Sequence, residues 1–156
     1  MVNMHWVTVS LFILIPTSAF AWFQESGNGV SAVVTYDTTD QQALMISYHR
    51  LENCGFAGLW LDQTLYDSNY SDASRNLAAI VRIDNYDSWP ISFEIQKSEL
   101  WLPNGIALRQ NITSELVSQI RKGKELKIFI GPRKLSWNLK GSSRAIKLAY
   151  NGCIAN

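Results

Sequence analysis

Apolar and polar positions alternate with a period of two along most of this chain, so most of it reads as β-strand. Val30, Ala32, Val34 and Tyr36 alternate with smaller residues. Residues 43–48 (ALMISY) read as a more buried strand, and 55–61 (GFAGLWL) as another short apolar run. Leu77, Ala79, Val81 and Ile83 share one side of the next strand, with Arg82 and Asp84 on the other. After a turn at 85–90 (NYDSWP), Ile91, Phe93 and Ile95 alternate with Ser92, Glu94 and Gln96, which predicts a hairpin with one wet face. Leu100-Trp101-Leu102 and Ile106-Ala107-Leu108 flank Pro103-Asn104-Gly105 and predict a second hairpin.

The period changes after residue 112. Leu116, Val117 and Ile120 have helical spacing. Thr113 suits the cap, Glu115 the first turn, and Arg121 and Lys122 the last turn, where the helix dipole is negative. Gly123 ends this helix, and strand alternation returns with Leu126, Ile128 and Ile130, then Leu135, Trp137 and Leu139. After Gly141, Ser142 or Ser143 can cap a short helix carrying Ala145, Ile146, Ala149 and Tyr150, with Asn151-Gly152 as its stop. The expected fold class is mainly β: an antiparallel sandwich or barrel-like domain of about eight short strands, with one or two short helices.

The N-terminus has another character. Residues 6–15 (WVTVSLFILI) are an apolar run about half as long as the roughly 20 residues a membrane-spanning helix needs. Pro16 ends the run, and Ala19-Phe20-Ala21 has the A-x-A form of an export cleavage site. Residues 1–21 are therefore expected to be a signal peptide and 22–156 a single β-rich domain, periplasmic or secreted, with no membrane span after signal removal. About 135 residues suffice for one domain with a real core.

Export changes the meaning of Cys54 and Cys153, the only cysteines in the chain. In an oxidising compartment such a pair bonds, closing a loop of about 100 residues. With no CxxC and His49 the sole histidine after the signal, no metal site and no cofactor are expected.

Charge is divided along the chain. Residues 22–100 hold 11 acids and 4 bases; residues 101–156 hold 10 bases and 2 acids. A basic C-terminal half offers a face for phosphate, lipopolysaccharide or an acidic partner. Interleaving of the two halves in one fold would neutralise it. An exported chain has no reason to meet cytosolic nucleic acid.

The last third resembles a known family. Residues 114–128 (SELVSQIRKGKELKI) look like its helix, Lys-Gly-Lys, strand element. Residues 137–146 (WNLKGSSRAI), followed by Cys153, look like its strand, Gly-Ser, short-helix, Cys ending. The family is the small exported bacterial proteins related to invasion-associated locus B protein, and the resemblance covers about residues 112–153. It implies a β-rich, disulfide-bonded, periplasmic or surface-associated protein without established enzymatic activity.

Three sets of residues are candidates for a site. The 62–76 stretch is polar and too long for a tight connector. Asp62, Asp67 and Asp72 punctuate it, with Tyr66 and Tyr70 between them. Tyrosines on a loop bury area with little entropy loss, which suits protein recognition. The acids lack the EF-hand spacing, and as a solvated loop they would do nothing more. Trp89, before Pro90, can stack on a partner or cover the edge of the core. The basic stretch from Arg121 to Lys147 is the next surface to consider. His49 would need a nucleophile and an orienting acid to catalyse; Glu52 is near in sequence but lies across a turn, and there is no Gly-x-Ser-x-Gly elbow. The function expected is a non-catalytic envelope or surface protein that binds another macromolecule, most simply a protein. The alternatives are an inhibitor or immunity protein against an envelope-targeting enzyme, and a small periplasmic hydrolase.

Overall fold

The computed structural model describes residues 21–37, 42–61, 76–98 and 105–155. Residues 1–20 of the expected signal peptide lie outside the described residues. Nine strands are described: β1 (Phe23–Gly27), β2 (Val30–Tyr36), β3 (Ala43–His49), β4 (Ala57–Leu61), β5 (Asn76–Ile83), β6 (Trp89–Ser98), β7 (Gly105–Ile112), β8 (Glu125–Ile130) and β9 (Arg133–Asn138). Two helices join them, α1 (Ser114–Lys122) and α2 (Ser142–Ile154). The strands form one antiparallel sheet in the order β1-β2-β3-β4-β7-β6-β5-β8-β9. The mainly β class therefore stands, as a single sheet curled into a half-barrel. The curl is tight enough for Trp137 Nε1, on edge strand β9, to donate to Gln42 O at 2.9 Å, just before β3.

Alternation explains the central strands. Ala79, Val81, Ile83 and Phe93 are buried while Ala78, Arg82, Ser92 and Glu94 are exposed, so the β5–β6 hairpin has its wet face. β6 continues to Ser98, which pairs with Gly105 of β7, so one strand serves both expected hairpins. The expected tip at Pro103-Asn104 and the Leu100–Leu102 arm lie outside the described residues. In β8 and β9, Leu126, Ile128, Ile130, Leu135 and Trp137 face the core.

The first hairpin escapes that pattern. β1 is exposed along its whole length, so it carries no alternation. Its turn is nonetheless written in the sequence. Gly27 pairs with Val30 around Asn28 and Gly29, whose φ values of 51° and 78° are the left-handed pair a two-residue Asn-Gly turn requires. In β2 the alternation points to the smaller cluster: Ala32 and Val34 pack with Met45, Trp60 and Ala107, whereas Val33 enters the main core. Both faces of β2 are buried, with α2 packed against the strand.

Helix α1 is as expected. Thr113 Oγ1 accepts Leu116 N–H at 3.2 Å, and Leu116, Val117 and Ile120 are buried. Gly123 closes it, and a Cβ there would clash with Ile83 and sit 3.1 Å from Leu139 Cδ1. Helix α2 differs from expectation. Its cap is Gly141, with φ +87°, and Ser142 Oγ is buried, donating to Ile120 O at 2.9 Å. Nor does Asn151-Gly152 stop it; the helix runs on to Ile154. Gly152 serves close approach to the sheet, since a Cβ there would meet Ser31 Oγ at 2.5 Å.

Candidate functional site: a groove beside the disulfide

That extra turn of α2 carries Cys153 to Cys54. The two are bonded, with Cα atoms 6.0 Å apart, and both are buried. The bridge fastens the end of α2 to the chain entering β4, as the compartment argument anticipated. Beside it lies a groove of about 650 Å³. Tyr48 of β3, Ala57 of β4 and Ile112 of β7 contribute from the sheet. Val117, Ser118 and Arg121 contribute from α1, and Ile146, Lys147 and Tyr150 from α2. Phe56, 59 % exposed, lines it next to the bridge. Tyr48 and Tyr150 meet edge to face, with ring centroids 5.3 Å apart. Burial pushes the Tyr48 phenol above its usual pKa, against the opposing pull of Arg121.

Arg121 and Lys147 are the groove's two charged residues, and both are cationic and exposed. Neither makes an ion pair among the described residues. They are also the two ends of the basic stretch noted in the sequence. Interleaving does occur in the sheet, where β7 sits between β4 and β6 and β8 beside β5. Yet it leaves this basic lining intact.

A second cluster surrounds His49, which stacks on Trp60 with centroids 6.1 Å apart. Trp60 Nε1 donates to Ser47 Oγ at 2.7 Å, and Ser47 Oγ lies 3.2 Å from His49 Nε2. The Arg109 guanidinium covers the Trp60 ring at 5.3 Å and bonds Glu52 Oε1 at 3.1 Å. Gly58 makes room for this stack: a Cβ there would lie 2.9 Å from Trp60 Nε1. Burial, with Arg109 beside the ring, lowers the His49 pKa. Its serine and its acid are both engaged within the cluster, while Arg109 Nε is buried without a hydrogen-bond partner among the described residues. Ser47 has no exposed surface, and the Glu52 carboxylate is bonded to Arg109.

This fold has a solved counterpart. The crystal structure of invasion associated protein B from Bartonella henselae matches 86 % of this chain and 92 % of its own, with a TM-score of 0.56 and 20 % sequence identity. At that identity the likeness is one of fold, and it extends well beyond the 112–153 region where the sequence resemblance lies. No family model and no curated protein matches the chain.

The remaining candidates fall elsewhere. Asp62, Tyr66, Asp67, Tyr70 and Asp72 lie outside the described residues. Trp89 is half-buried in β6 and packs against the core, its Nε1 donating to Gln119 Oε1 of α1 at 2.8 Å. Sequence reasoning did not assemble the groove, because its residues come from five elements far apart in the chain. The usable signals were the disulfide and the basic stretch.

Proposed function

We propose that this chain is a non-catalytic, exported bacterial domain that binds another macromolecule of the envelope or cell surface through the groove beside the disulfide. The groove carries the reading. It combines tyrosine, phenylalanine and arginine, side chains enriched at protein interfaces, on a frame fixed by a covalent bridge. The bridge favours an oxidising compartment, and no helix among the described residues is long and apolar enough to cross a membrane. The engaged Ser47 and Glu52 argue against the hydrolase alternative. The fold shared with a protein named for its association with invasion is consistent with this role.

Co-sedimentation with isolated envelope fractions tests it. The Arg121→Glu/Lys147→Glu variant changes only exposed side chains, so circular dichroism should match the parent. Its association should fall by about tenfold or more, the scale of one lost charge-assisted contact. Undiminished association would place the binding surface elsewhere.

A further inference from the structure

We infer that the part of the partner entering this groove is an acyl chain carrying a phosphate head of net negative charge, as acylated envelope macromolecules present. The inference rests on the groove being the binding site and names the chemistry it takes.

Size comes first. About 650 Å³ falls within the roughly 300–1,000 Å³ of sites that hold small ligands. Such sites are mostly apolar with a few placed polar groups. Here Tyr48, Phe56, Val117, Ile146 and Tyr150 offer a track for a hydrocarbon chain. Two exposed apolar residues stand near the bridged cysteines in sequence, Leu51 at 97 % and Ile154 at 58 % exposure.

Charge comes second. The lining holds Arg121 and Lys147 and no acid, so a bound molecule should be anionic at one end. The arginine fork is suited to phosphate oxygens, and lysine adds a point charge. Together the two cations and the apolar track match an amphiphile with its charge at one terminus.

Backbone pairing comes third. The strands beside the groove, β3 and β4, are each hydrogen-bonded on both sides. Neither of these strands has an open edge to receive a peptide main chain. A hydrocarbon chain needs none.

Titration calorimetry with the full disulfide-bonded domain tests this, using three probes below micelle-forming concentrations. Myristoyl-lysophosphatidylglycerol is anionic, myristoyl-lysophosphatidylcholine has the same chain with a zwitterionic head, and inorganic phosphate has no chain. The anionic lipid should bind one to one and about tenfold more tightly than the choline lipid. Phosphate alone should not bind measurably. Arg121→Ala/Lys147→Ala should erase the preference between the lipids, and Phe56→Ser should weaken both. Equal binding of the two lipids, a preference that survives the double alanine variant, or phosphate binding as tightly as the lipid would each overturn the inference. So would absence of lipid binding. If lipid binding fails while the charge-reversal variant still loses envelope association, the groove remains the macromolecular site and only its lipid chemistry falls.

Discussion

Removing the bridge between Cys54 and Cys153 should cost this domain a large share of its stability. The two cysteines are 99 residues apart in sequence. In the chain-entropy account, a loop of about 100 residues contributes about 4–5 kcal/mol by restricting the unfolded chain. Single domains have only about 5–15 kcal/mol in total. Replacing both by alanine also deletes the sulfurs of two residues that are only 6 % and 3 % exposed, so packing is lost as well. Urea unfolding of Cys54→Ala/Cys153→Ala, followed by the fluorescence of buried Trp60 and Trp137, should show a midpoint lower by about 2 M, given a slope of about 1–3 kcal/mol/M. Hydrogen exchange should quicken most in the last turn of α2, which the bridge holds to the chain before β4. A loss below about 1 kcal/mol would refute the reasoning. It would mean that the unfolded chain is already compact or that α2 is held by its packing on β2 alone.

Smaller perturbations follow from single contacts. Thr113→Ala removes the acceptor for Leu116 N–H and should cost about 1 kcal/mol in chemical denaturation; no change would mean water caps α1 equally well. Gly123→Ala forces a methyl group against Ile83, Leu139 and Gln119 O, with an expected loss of about 1–3 kcal/mol in the same assay; a neutral result would show that the α1–β8 corner yields freely. The His49 pKa lies below 6.5 in the folded domain, so the unfolded chain takes up its proton first as pH falls. The His49 contribution is therefore fully present above about pH 6.5 and is lost as pH drops toward the lowered folded value. Thermal melts of parent and His49→Gln should diverge in slope over that window, and parallel profiles would contradict the shift.

Much of this fold could be read from side-chain periodicity where one face is wet. β5, β6, β8 and β9 alternate cleanly because water lies against one side of each. The rule failed in two opposite environments. β1 is exposed on both faces and β2 buried on both, so neither shows which residues turn inward. The Asn28-Gly29 turn between them is a local signal that a reading based on alternation passes over. At Gly152 a local rule lost to tertiary packing: glycine near a helix end reads as a stop, but here it lets α2 lie against Ser31. The groove is harder to read than any strand. Arg121 fits a helix-dipole role and Tyr150 an amphipathic helix, and only folding places them around the same space as Phe56.

The central claim, that macromolecules meet this chain at the groove beside the disulfide, is tested most directly by site-specific photo-cross-linking in intact bacteria. A benzophenone side chain is introduced in place of Phe56, and in a second variant in place of Ile80, which is 46 % exposed on β5 and away from the groove lining. Illumination should yield a discrete higher-mass adduct from position 56 and none from position 80. An adduct from position 80 with none from position 56 would contradict the assignment.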